Sequence, residues 1–261
     1  MITGPGEGSP SPLWLNPGME LDALYAAQQE QFTSVVLAHA DRRTARVPAC
    51  PEWEVHDVLA HVVGLASDAV TGRLPTMELL EQWRDDQVME ARDRMTAGQV
   101  ERQGDRSIKR LADDWRRLIP TISPMLRGDI PFPDPAPFGV GAVLITDLEI
   151  HYQDVRGALG LPAATDGPAL SLALATYCFG VDYRIRTLDL PALAVRYAGK
   201  QRILGDGEPR ATVAGDRFEL LRAFGGRRSR KQILALDWQG DPGPYLPLIP
   251  AYGERADDLV E

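Results

Sequence analysis

The sequence predicts an α+β protein: an antiparallel helical bundle followed by a smaller α+β unit. Three observations predict it. Up to about residue 162, apolar residues recur at helical spacing in four or five segments bounded by Pro and Gly. Beyond that point short alternating stretches with glycine turns replace the helical stripe. The chain has 261 residues and 44% hydrophobic content, enough for a packed core, and it has no internal repeat. The expected division is a flexible Gly-, Pro- and Ser-rich segment over 1–18, a bundle over 19–163 and an α+β domain over 164–253.

The first helix spans Met19 to about Ala40, with Leu21, Leu24, Tyr25, Gln28, Phe32, Val35 and Val36 as its stripe. "VPACPEW" breaks it twice with proline. "EVHDVLAHVVGLASDAVTG" follows, striped by Val55, Val58, Leu59, Val62 and Val63 and stopped at Gly72. "TMELLEQWRDDQVMEARDRM" is a charge-rich, half-exposed third helix, and "DRSIKRLADDWRRLIPTISPML" a fourth, anchored by Ile108, Leu111, Trp115 and Leu118. "RGDIPFPDPAPFG" is neither helix nor central strand, because proline removes donors and fixes φ. "VGAVLITDLEIHYQDVRGALG" is the last bundle helix and ends at Gly160 before Pro162. "LPAATDGPA" links to the second unit, where "ALSLALATYCFGVDYRIRTL" is helical. "ALAVRYAGKQRILG" and "PRATVAG" read as strands, and "DRFELLRAFGGRRSRKQIL" as one helix with Gly225 and Gly226 near its end.

Net charge −9 and a pI near 5.0 argue against a nucleic-acid partner. No apolar run reaches the roughly 18–20 residues of a membrane span, and the first residues lack the pattern of a secretory signal. Two distant cysteines, Cys50 and Cys178, read as packed thiols in a reduced, cytoplasmic protein. No G-x-S-x-G, Walker or Rossmann pattern is present.

The ionisable residues concentrate in "TDLEIHYQDVRGALG". Asp147 and His151 are i,i+4 and share a helix face, so the two can hold one metal. Asp154, three residues after His151, can fix that ring's tautomer. Glu149 lies about 200° from Asp147 and is expected to face solvent or a basic partner. Spacing alone also fits a surface Asp–His pair. A third donor, His61 on the second helix, would complete an N, O, N set with one position open, the pattern of a catalytic divalent site. A hydrogen-bonded core histidine is the competing reading of His61. His56, about 140° away around the same helix, is expected to be exposed. The donor types suit zinc and leave nickel, iron(II) and manganese open. "GGRRSRK" gathers Arg227, Arg228, Arg230 and Lys231, read either as a solvated helix end or as an anion site for a carboxylate substrate.

"VPACPEWEVHDVLAHVVG", "DLEIHYQDVRGALG" and "VAGDRFELLRAFGGRRSRKQILALDWQGD" together resemble the mycothiol-dependent maleylpyruvate isomerase family over roughly residues 19–253. The matching elements are Pro51, Trp53 and His61; Asp147, His151 and Asp154; and Trp238, Gly240 and Asp241. The resemblance implies a DinB-like four-helix bundle with a small α+β domain. It implies zinc on His61, Asp147 and His151, and mycothiol as co-substrate. One departure is Asp147, where the isomerase type carries glutamate. The implied activity is isomerisation of, or thiol transfer to, a small electrophile, with Arg227 or Arg228 orienting a substrate carboxylate. A non-enzymatic small-ligand or metal-binding module and a metal-dependent hydrolase or cyclase stay open. The expected partner is a small molecule, and the expected state a monomer or homodimer.

Overall fold

The computed structural model describes residues 19–74, 86–134 and 139–261; the 1–18 segment lies outside them. Helix α1 (Leu21–Ala38) follows the predicted stripe, burying Tyr25, Gln28, Phe32 and Val36. Where sequence predicts only a proline-broken turn, a short hairpin forms from β1 (Arg46–Val47) and β2 (Cys50–Glu54). Pro48 occupies its turn and Pro51 an exposed position of β2, where no ladder donor is lost to the core. Helix α2 (Val55–Thr71) starts with a Glu54–Asp57 capping box and stops at Gly72, whose φ of +68° suits glycine.

Helix α3 (Asp86–Gln103) departs from the predicted span of 76–95. Residues 75–85 lie outside the described ones, and the helix continues past the predicted end because Gln99 and Gln103 bury against the bundle. Helix α4 (Ile108–Arg127) is capped by Ser107 and contains Pro120 and Pro124. Helix α5 (Val140–Leu159) packs against both α1 and α2.

The second unit comprises α6 (Pro168–Thr187), β3 (Leu193–Tyr197), β4 (Lys200–Leu204), β5 (Ala211–Ala214), α7 (Arg217–Phe224), α8 (Arg230–Leu234) and β6 (Asp237–Gln239). The sheet order is β4-β3-β5-β6; β3 and β5 are parallel and the other pairs antiparallel. The single helix predicted over 216–234 is two helices. Gly225 ends α7, Gly226 turns at φ +74°, and a Ser229–Gln232 capping box starts α8. Arg227 and Arg228 therefore sit in a tight break, not on a solvated helix end.

Two apolar cores flank α5. Leu148 and Val155 belong to the bundle core, where Trp115 Nε1 donates to Tyr25 Oη at 3.0 Å and stacks edge-on against Phe32. Ile150 belongs to the second core with Tyr177, Leu221 and Phe224. Burial on both sides makes α5 a rigid shared wall, which positions the chemistry it carries. Among the described residues, no helix is long and apolar enough to cross a membrane.

Glu149 corrects an expectation. It faces neither solvent nor a basic partner: it is buried and accepts hydrogen bonds from Gln28 Nε2 (2.5 Å) and Gln153 Nε2 (2.7 Å). Gln153 also holds Ala164 through both its N–H and its carbonyl, pinning the linker to the bundle. Burial pushes the Glu149 carboxyl from 4.5 up to about 7, against the two amide donors that favour its charge. The folded state thus holds a proton that the unfolded chain has released. Stability falls as pH rises from about 4.5 to 7 and levels off above, by up to roughly 1.4 kcal/mol per pH unit. Denaturant titrations across that window should show the slope, and Glu149→Gln should remove this contribution. An unchanged slope in the variant would rule out Glu149 as its source.

Candidate metal centre

Asp147 and His151 come from one face of α5 and His61 from the facing side of α2. One donor atom from each lies within 4.8 Å of the others. His61 Nε2 is 3.3 Å from Asp147 Oδ2, and His151 Nε2 is 3.8 Å from Asp147 Oδ1. Trp53, set by the β2 hairpin strand, lies over both imidazoles, with ring centroids 5.1 Å from His61 and 5.9 Å from His151.

Hydrogen bonding behind His61 fixes which of its nitrogens faces forward. Gln99 Nε2 donates to Asp68 Oδ2 at 2.9 Å; a carboxylate can only accept, so the amide orientation is set. Its Oε1 then faces His61 Nδ1 at 2.8 Å, and that nitrogen must carry the hydrogen. On the other ring, His151 Nδ1 lies 3.1 Å from Asp154 Oδ2, an ion-pair distance though off the line of a good hydrogen bond. With its Nδ1 engaged by Gln99, His61 turns its Nε2 toward Asp147, and His151 Nε2 lies on the other side of the same carboxylate.

Asp147 Oδ2 is buried and has no hydrogen-bond donor. Burial opposes its charge, but His61 and His151 outweigh this and hold its carboxyl below the ordinary range. Two imidazole nitrogens and a buried carboxylate oxygen without a hydrogen-bond partner converge here, the donor set that a divalent cation takes. These residues fit the metal, despite aspartate standing where the resemblance leads one to expect glutamate.

Cys50, His151 and Asp154 also converge. There the cation position is taken: Arg222 Nη2 lies 2.7 Å from Asp154 Oδ1 and Arg227 Nη2 2.9 Å from Asp154 Oδ2. Burial works against the Asp154 charge, but the two guanidiniums hold its carboxyl well below the usual range.

A cavity of about 510 Å³ opens over the centre, walled by Cys50, Trp53, Arg92, Tyr177, Arg227 and Tyr252 besides the three donors. Burial and the Asp154 charge push the Cys50 thiol up to about 12, and burial does the same to Cys178, so neither supplies a thiolate at neutral pH. Burial also raises the Tyr177 and Tyr252 phenols, which stay protonated.

Of the arginines singled out by sequence, Arg227 reaches the cavity, but its donors go to Asp154, Gly225 O and Cys50 Sγ. Arg228 does not line the cavity; its guanidinium is held by Glu219 and Glu261. Arg230 pairs with Glu254 and Lys231 with Asp258. The four cations of "GGRRSRK" are thus each engaged by carboxylates of the chain: Arg227 and Arg228 in one buried network through Arg222, and Arg230 and Lys231 in two surface pairs. His56 is half-buried, not exposed, with Nε2 2.8 Å from Arg106 O, and takes no part in the centre.

Sequence reading missed Asp68, Gln99, Arg222 and Arg92. Gln99 lies in a helix whose charge pattern predicts exposure, and only an arginine on an apolar stripe, beside Leu220 and Leu221, hinted at Arg222.

Two histidines and one carboxylate opening on a cavity within an antiparallel bundle define a DinB-like candidate metal centre. A family model described as the mycothiol maleylpyruvate isomerase N-terminal domain matches residues 25–156, half of the chain, and the chain belongs to this family. Among solved structures, a mycothiol-dependent maleylpyruvate isomerase is similar at 14% identity and a TM-score of 0.45, covering 80% of this chain and 88% of that one. A mutant of such an isomerase is similar at 14% identity and 0.47, covering 88% and 95%. No curated protein matches the sequence.

Proposed function

We propose that the protein is a metal-dependent enzyme that uses mycothiol to isomerise, or to transfer the thiol to, a small electrophilic substrate. The observation that carries this reading is the unpartnered Asp147 oxygen between the His61 and His151 rings at the cavity. His61, Asp147 and His151 would hold the divalent cation, for which zinc suits the donor set. Once bound, the cation lowers the pKa of a thiol in the open position.

The protein's own groups do the rest. Neither cysteine is activated, so the sulfur comes from a co-substrate. Thiolate sulfur adds to an electrophilic alkene carbon, and the displaced π pair moves onto the adjoining carbonyl. Rotation about the resulting single bond and expulsion of the same thiolate returns the isomer. Protonation instead leaves the thiol adduct, the transfer product. Trp53 limits water over the imidazoles, and the Tyr177 and Tyr252 phenols can donate to the developing oxyanion.

A substrate carboxylate fits Arg92 better than Arg227. Arg92 lines the cavity, stacks 4.6 Å over the Tyr252 ring, and donates at 2.8 Å to its neighbour Asp93 in a solvent-exposed pair, which water screens. Arg227 would have to leave a buried carboxylate to bind one.

Calorimetric titration of metal-loaded protein with mycothiol tests the proposal. Saturable binding below millimolar thiol, absent without metal, is the expected result, and Arg92→Gln should leave it unchanged while weakening capture of a carboxylate substrate. Metal uptake without thiol binding would overturn the thiol mechanism and favour water chemistry.

A further inference from the structure

We infer that Gln99 is a positioning residue for the metal ligand His61, and that through it the metal couples to the docking of α3. The inference rests on the metal reading above.

The chain of contacts is continuous and buried. His61 Nδ1 donates to Gln99 Oε1, and Gln99 Nε2 donates to Asp68 Oδ2. Asp68 is in turn held by Arg102 Nη2 at 2.6 Å and Arg73 Nε at 2.9 Å. Gln99 is fully buried and Asp68 nearly so, while Arg73 and Arg102 lie near the surface and supply the countercharge. The backbone is shaped for this contact. A Cβ at Gly64 would stand 2.7 Å from Gln99 Cβ, so glycine on α2 lets α3 approach closely enough for the amide to reach the ring. A buried amide and carboxylate among apolar neighbours are costly unless every partner is supplied. Here a fully partnered chain ends on one imidazole nitrogen and leaves the other free for a ligand role.

Gln99 sits on the same helix as Arg92, Asp93, Thr96 and Ala97, which wall the cavity. If Gln99 favours the liganding tautomer of His61, the metal must by reciprocity favour the docked α3. Loading the centre and firming that wall are then one linked equilibrium.

Gln99→Met tests this in the full chain. Methionine keeps the Cβ and Cγ that pack on Gly64 but lacks the amide oxygen that accepts from the ring. Zinc affinity from chelator competition should fall about 10–100-fold. Zinc-induced protection of residues 86–103 from hydrogen exchange should be present in the wild type and lost in the variant. Asp68→Asn, which leaves the packing in place, should weaken zinc binding in the same direction. Equal zinc affinity in wild type and Gln99→Met would overturn the inference. Nitrogen-15 NMR of His61 in the metal-free protein separates it from the reading it rests on. A wild-type ring held as Nδ1–H that becomes a tautomer mixture in Gln99→Met supports the positioning role even if no metal binds, and identical tautomer populations overturn it. Failure of the wild type to take up zinc would count against the proposed function instead.

Discussion

Replacing Asp154 by asparagine should destabilise the protein by about 3–5 kcal/mol, the scale of breaking a buried ion pair from one side. Asp154 and Arg222 are both 0% exposed in their side chains. Around them lie three carboxylates, Asp154, Glu219 and Glu261, against three guanidiniums, Arg222, Arg227 and Arg228. Removing one negative charge leaves Arg222 and Arg227 sharing a buried environment with too few anions. Asparagine preserves the shape, so the loss reports charge and not a cavity. Thermal or denaturant unfolding of the metal-free protein measures it. Adding Arg222→Met should recover part of the loss, since contacting members of one network are not additive. A variant within about 0.5 kcal/mol of the wild type, the range of an ordinary surface substitution, would show that Asp154 carries no net stabilising role.

That network also explains what was legible in the sequence. Helices α1, α2 and α5 follow from apolar spacing, the last two also from glycine stops, because burial of one stripe is a local property of the chain. Asp147 and His151 share a face for the same reason, since four residues make about one turn. Where helices meet, that logic ends. Glu149 seemed to face outward because the face opposite Asp147 was assumed to be wet, and α5 is covered on both sides. The arginine run looked like one cation patch because linear proximity was read as spatial proximity. The Gly225–Gly226 break sends Arg227 inward and Arg228 to Glu219. Nothing in the sequence pointed to Gln99, and only a place on an apolar stripe pointed to Arg222. Their roles depend on partners 38 and 68 residues away in sequence, His61 and Asp154, which only packing brings near.

The sharpest test of the centre is Asp147→Asn, for which metal affinity and metal-free stability should move in opposite directions. The loss of a charged ligand should cost more than the roughly 10–100-fold of an outer partner, so zinc should no longer survive chelator competition. Without metal, and at alkaline pH with the rings neutral, the wild type keeps three acceptors facing one another, with His61 Nε2 only 3.3 Å from Asp147 Oδ2. An asparagine amide at that place can donate to the His61 lone pair and remove the repulsion. The metal-free variant should then be more stable than the metal-free wild type by about 1 kcal/mol, the net worth of one hydrogen bond. A structural contact in which a ring N–H donates to Asp147 predicts the reverse, because the same substitution would remove its charged acceptor. Unfolding curves of the two metal-free proteins decide between them. A destabilised Asp147→Asn with undiminished zinc affinity would mean that Asp147 has a structural partner here and that the metal sits elsewhere. The opposite pattern would show a site held in a strained state that only a cation relieves, as expected where local stability is given up for function.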